Sequence, residues 1–258
     1  VIGNGEYGLV PGVKFHTDNV NIDPKSVVLL WEDRESIIAG LELKDGEVKF
    51  LSTGIEGNAM IAVKDDSGKI LWSWHIWVTD QPQEQVYQNS YGTFTMLDRN
   101  NGAIRNDRGT GEEWRESVGT YYQWGRKDPF ALGNYYSHYE PGFSTQQVIE
   151  NPMTFAYSSN YGWTTEWNEY LWSSYQKTIY DPCPVGYRVP AMPVWYGFSK
   201  TGENSELRDM NVLGSFDYGW NFIYDGSNTS WYPVTGRIGS WGEYEYWSDR
   251  GRLWTSQM

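Results

Sequence analysis

The sequence predicts a β-rich α+β fold. Three observations carry this: short apolar runs broken by turn residues, the lack of long segments with a 3.6-residue period, and long loops rich in Gly, Asn and Ser. At 258 residues the chain has room for one large domain or two of ordinary size.

Residues 26–31 (SVVLLW), 47–51 (EVKFL), 59–63 (AMIAV) and 69–78 (KILWSWHIWV) read as strands. Turn formers at Asp45-Gly46, Gly57-Asn58 and residues 65–68 separate them. The Asp66-Ser67-Gly68 turn between two apolar runs predicts a hairpin. Short strands at this spacing predict a small antiparallel β-sandwich over residues 1–82. Within the last strand, His75 is out of step with Trp74 and Ile76, so it faces the opposite side.

The composition then shifts. Residues 1–82 hold 4 Trp and 1 Tyr, and residues 83–258 hold 11 Trp and 19 Tyr. Pro82 and the polar stretch 81–85 mark a linker, giving a second domain over residues 83–258. This half offers one short helix, residues 191–198, with Pro193 in its first turn. Residues 98–112, 135–142 and 225–230 read as long loops.

The rings serve either as strand residues of a β-rich core or as half-wet faces that stack on a ligand. On the second reading Trp163, Trp167, Trp172, Tyr135, Tyr136, Trp220, Trp231 and Trp241 are the ligand-binding candidates.

A net charge of −13 repels polyanions, and no Lys/Arg cluster matches a row of phosphates, so nucleic acid is excluded as a partner. No apolar run reaches the roughly 20 residues a membrane helix needs. The N-terminus shows no signal-peptide pattern and reads as that of a mature or trimmed fragment. His16, His75 and His138 lie in unrelated contexts, and there is no Gly-x-Ser-x-Gly or His-Glu-x-x-His motif. The nearest approach to a hydrolase pair is Glu166 with Glu169 among tryptophans. No catalytic residue is therefore assigned and no cofactor is required. Asp98, Asp225 and Asn228 lie on Gly-containing loops and are the candidates for calcium, although Asx turns that satisfy their own backbone are the more common explanation.

Residues 178–190 (TIYDPCPVGYRVP) with Trp195, preceded by 96–103 (MLDRNNGA) and 121–130 (YYQWGRKDPF), resemble the Fibrobacter succinogenes major paralogous domain. The Gly-Tyr-Arg-Val-Pro…Trp part is also similar to formylglycine-generating-enzyme-like domains, whose catalytic cysteines have no counterpart here. The resemblance implies a C-type-lectin-like second domain with little helix and long loops. In it Cys183, Gly186, Arg188, Pro190 and Trp195 are structural. Residues 57–65 and 70–80 resemble the β-domain that precedes this module in fimbrillin-family surface proteins of Bacteroidetes-type bacteria. Such proteins imply an extracellular place on the outer-membrane surface or a pilus, with a lipid anchor in the full-length protein. They also imply a binding role toward glycan or protein, or a structural role as a pilus-tip subunit. Family members continue into a closing strand with a second cysteine. The chain is therefore expected to be truncated at its C-terminus, with Cys183 separated from its partner.

Overall fold

The uncharged run 57–63 can be buried on both faces without stranding a charge, and the fold is built around it. The computed structural model describes residues 1–3, 5–9, 12–15, 18–133, 138–157, 162–165, 168–200, 209–245 and 249–257. In chain order the strands are β1 (Gly5–Leu9), β2 (Gly12–Phe15), β3 (Asp18–Asn21), β4 (Ser26–Glu32), β5 (Ile38–Lys44) and β6 (Glu47–Ser52). They continue with β7 (Gly57–Lys64), β8 (Ile70–Val78), β9 (Glu84–Asn89), β10 (Gly92–Leu97), β11 (His138–Tyr139) and β12 (Phe155–Ala156). The last are β13 (Val212–Leu213), β14 (Gly219–Asp225), β15 (Asn228–Pro233), β16 (Arg237–Ile238) and β17 (Tyr244–Glu245). One α-helix, α1 (Thr145–Glu150), and two 3-10 helices, Glu113–Ser117 and Met192–Phe198, complete the described elements. The protein is thus strand-rich, with several antiparallel sheets. No helix among the described residues is long and apolar enough to cross a membrane.

Strands β4, β7 and β8 form one antiparallel sheet, and β1, β6 and β5 another. The predicted hairpin is present: β7 and β8 pair with Ile61 opposite Trp74, joined at Asp65, whose carboxylate accepts from the Ser67 and Lys69 amides. One face of the β4-β7-β8 sheet presents Ala59, Ile61, Val63, Trp72 and Ile76 to Ile38, Val48 and Phe50 of the other sheet. Each large aliphatic side chain here contributes about 1.5–3 kcal/mol by leaving water.

The opposite face is buried too, but against chain from beyond residue 97. Met60 packs with Trp31 and Ala131. A bulge between Leu29 and Trp31 puts Trp31 opposite Met60 and so turns it to this face. Asn58 Nδ2 donates to the Gly102 carbonyl at 2.8 Å, and Trp77 Nε1 to the Ala103 carbonyl at 3.1 Å. His75, on this side as its alternation predicts, pairs with Asn58 Oδ1 at 2.9 Å. Gly102 has φ +81, and a Cβ there would lie 2.7 Å from Thr120 Cγ2, so glycine is required both by conformation and by space.

A buried ion pair fastens the edge strand. Lys127 Nζ lies 2.5 Å from Asp128 Oδ1, donates to Ser73 Oγ at 2.6 Å and sits 4.3 Å above the Trp72 ring. Asp128 also accepts from Ser73 Oγ at 2.7 Å. On the first core, Ile149 of α1 joins the cluster, and Glu150 pairs with Lys69 at 2.6 Å. Residues on both sides of the 81–85 stretch therefore share one core. That stretch is short, since β9 begins at Glu84.

Local chemistry explains the remaining elements. The segment 191–198 is helical, as a 3-10 helix over Met192–Phe198 with Pro193 in its first turn. The helix α1 has a capping box: Ser144 Oγ accepts from the Gln147 amide, and the Gln147 side chain accepts from the Ser144 amide. Asp225 to Ser230 is not a loop. Asp225 pairs with Asn228 across Gly226 (φ +55), so a two-residue hairpin turn joins β14 to β15.

Removing Asp128 leaves the Lys127 ammonium buried without its counter-charge. Asp128→Ala is expected to cost about 3–5 kcal/mol in urea unfolding, and Lys127→Met with Asp128→Ala considerably less. Burial also holds the His75 imidazole down at about 3, against 6.5 for an unhindered histidine. The unfolded chain thus takes up this proton below pH 6.5 and the folded chain only near pH 3. Stability should fall as pH drops through that window, and His75→Gln should flatten the fall in melting temperature.

Candidate functional site

A loop that must hold a fixed shape without a sheet needs buried charge or hydrogen bonds to replace the ladder. The 181–190 turn uses Asp181. This buried carboxylate accepts the Cys183 and Val189 amides, each at 2.9 Å, and pairs with Lys177 Nζ at 2.9 Å. Lys177 also donates to the carbonyls of Cys183 at 2.6 Å and Tyr187 at 2.9 Å. Gly186 turns the chain at φ +91, and Val185 at the tip is 95% exposed. Arg188 anchors its Nε on the Ser174 carbonyl at 2.6 Å while its side chain stays exposed.

This turn is one border of a cleft of about 1570 Å³. Trp124, Trp163, Trp172, Trp195, Trp220 and Phe222 are among its lining residues. The lining also includes the segment 249–255, which belongs to no strand or helix and whose Leu253 packs in the same cluster as Trp195, Trp220 and Phe222. Separate hydrogen bonds hold this segment in place. The Gly236 amide donates to the Arg250 carbonyl at 2.7 Å, and the Ser256 amide to the Pro190 carbonyl at 2.8 Å. Trp124 Nε1 donates to the Thr255 carbonyl and Trp254 Nε1 to the Tyr122 carbonyl, both at 3.0 Å. The Trp254 ring stands edge-on to Trp172 at 6.1 Å and remains 49% exposed.

The aromatic candidates divide. Trp163 and Trp172 line the cleft but are 3% and 1% exposed, with their N–H groups bonded to the carbonyls of Trp124 and Tyr180. Trp231 is buried, gives its N–H to Ser117 Oγ and lies off the cleft lining. Trp220 lines the cleft, half-buried, 5.6 Å from Phe216. Trp241 is 66% exposed on the turn before β17, beside Tyr157 but outside the lining. Tyr135, Tyr136, Trp167, Glu166 and His16 lie outside the described residues, and Glu169 is exposed. Trp254, Asp181 and Lys177 were missed by sequence reasoning. For the last two, an acid four residues after a lysine at the head of a Pro-Cys-Pro turn is the available signal.

Among the described residues no group of three His, Cys, Asp or Glu side chains could hold a metal ion. Asp98 is a buried structural acid: Oδ1 accepts Arg99 Nε and Oδ2 accepts Asn106 Nδ2, both at 2.8 Å. The guanidinium therefore occupies the carboxylate that calcium would need. Asn228 Nδ2 reaches Asp225 Oδ2 at 3.4 Å across the hairpin turn. Asp249 is the only carboxylate among the described lining residues, and no histidine is among them. Cys183 lines the cleft as a half-buried thiol near Asn101 Nδ2 (3.5 Å), and burial pushes it up to about 12.

Compared with known proteins, the chain matches no family model, no curated protein and no solved structure.

The Cys183 thiol should alkylate at pH 8 at least ~100-fold more slowly in the native protein than in urea, because the thiolate is the nucleophile. Burial raises Tyr87 as well, to about 12. Both groups stay protonated in the folded state at pH values where the unfolded chain, at 9.0 and 10.0, has released them. Stability should therefore decline as pH rises from 9 toward 12, and Cys183→Ala should remove the earliest part of that decline in a denaturation series.

Proposed function

We propose that this protein is a non-catalytic binding protein of the bacterial cell surface whose cleft accepts a glycan. The observation that carries the reading is the cleft itself, whose lining includes the half-exposed Trp254 and Trp220 together with loop residues held by hydrogen bonds. Sugar rings offer apolar C–H faces that stack on such rings, and polar groups around the rings fix their orientation. A tryptophan whose N–H is already bonded, as in Trp254, is held still with its face toward solvent. The resemblance of residues 178–190 to a lectin-like module supports the same reading. It also supports a β-sandwich followed by a C-type-lectin-like domain as the architecture, on an outer-membrane surface or pilus.

A broad glycan array followed by calorimetry tests this. Trp254→Ala should weaken the best ligand by about tenfold, the loss expected for one aromatic stack. Trp241→Ala, exposed but off the cleft, should leave the affinity unchanged. Absence of any glycan ligand, or equal affinities for Trp254→Ala and the parent protein, would overturn the reading.

A further inference from the structure

The cleft is larger than a pocket for one small ligand, and its exposed rings come in pairs. Such pockets run to roughly 300–1,000 Å³, and this one holds about 1570 Å³. Trp254 stands 6.1 Å from Trp172 and Phe216 5.6 Å from Trp220, centre to centre, and all four residues line the cleft. A third pair joins Tyr196, a lining residue of the helix Met192–Phe198, to Tyr91 at 4.8 Å. Each pair has one ring open to solvent: Trp254 at 49%, Phe216 at 46% and Tyr91 at 59%. Tyr91 is the least expected of them. It occupies the two-residue turn Ser90-Tyr91 between β9 and β10, where Gly, Asn or Asp serve the backbone better. The turn is nevertheless fixed: the Tyr91 amide donates to Asn89 Oδ1 at 2.8 Å, and Asn89 Nδ2 donates to the Pro193 carbonyl at 2.9 Å. The hairpin is thus bonded to the helix that carries Tyr196.

We infer that the cleft reads an oligosaccharide along several consecutive units, with Tyr91 and Tyr196 stacking on one unit and Phe216 and Trp220 on another. The inference rests on the glycan reading and deepens it. It adds ligand-contacting residues and a class of ligand: a chain of sugars bound along its length, not a single terminal residue. One aromatic stack is worth about tenfold in affinity. A chain that reaches a second platform gains it without a new loss of translational and rotational freedom, because that contact forms within the complex. A sugar's apolar C–H face covers the exposed ring, while a phenol hydroxyl offers its rim a hydrogen bond. Rings already packed in pairs have little side-chain freedom left to lose on binding.

Calorimetry with cello-, xylo- and galacto-oligosaccharides of two to six units decides the matter. In a series that binds, affinity should rise about tenfold or more from disaccharide to hexasaccharide, the worth of one further stack. Tyr91→Ala and Phe216→Ala should each shrink that rise, and Tyr91→Phe, which keeps the ring, should preserve most of it. A rise left intact by both alanine variants would reflect a chain sliding over one platform and would overturn the inference. Affinity flat from two units to six, or an array whose hits are all mono- and disaccharides, would overturn it too while leaving the glycan reading in place. No binding across both these series and a broad array would remove both. The length comparison on the parent protein stands even if a variant fails to fold.

Discussion

Strand β7 has water on neither side, and the rest of the structure is arranged to make that affordable. Its odd-numbered side chains from Ala59 to Val63 meet a second sheet, and Asn58 and Met60 meet chain that follows β10. The first interface is apolar and needs only shape. The second carries polar groups, and each must find a partner. Asn58, Ser73, His75 and Trp77 do so with Gly102, Asp128, Asn58 and Ala103. The later half of the chain is thus bound to the first by specific bonds as well as by the apolar contacts of Ile149 and Ala131. A shift of register by one residue would break all of them together.

The abundance of tryptophan follows from the scarcity of regular structure between residues 98 and 200. Loops that run through a protein interior carry carbonyls that no ladder satisfies. Here indole N–H groups take that role: Trp77 to Ala103, Trp124 to Thr255, Trp163 to Trp124, Trp172 to Tyr180 and Trp254 to Tyr122. Each ring fills volume and caps a carbonyl in one step. Arg126 serves the same end. Buried, it donates to the carbonyls of Asn151, Pro152 and Thr154 just past α1, and burial lowers it to about 10.

Much of the first half was legible from alternation and turn chemistry. The strands at 26–31, 47–51, 59–63 and 69–78, their hairpin and the facing of His75 all follow from period two and a turn signal. Other features were hidden for identifiable reasons. The helix α1 is six residues long, too short to show a period, although Ser144 and Gln147 mark its start. The Asp225-Gly226 pair is a hairpin signal that polar neighbours disguised as a loop. The tryptophans were harder still. Whether an indole faces water depends on which carbonyl its N–H reaches, and those carbonyls lie far along the chain for Trp124 and Trp254. Sequence therefore pointed to an aromatic-rich region but could not tell Trp254 from Trp172.

The Lys177–Asp181 clasp bears on the thermodynamics of recognition. A border held by one ammonium and one carboxylate has few conformations left to lose, so under the proposed binding role a ligand would meet it already formed. The conformational entropy of that turn was surrendered during folding and is absent from the cost of association. Under the same proposal, selectivity at this border would come from geometric mismatch, since the turn cannot bend to meet a poorly fitting ligand.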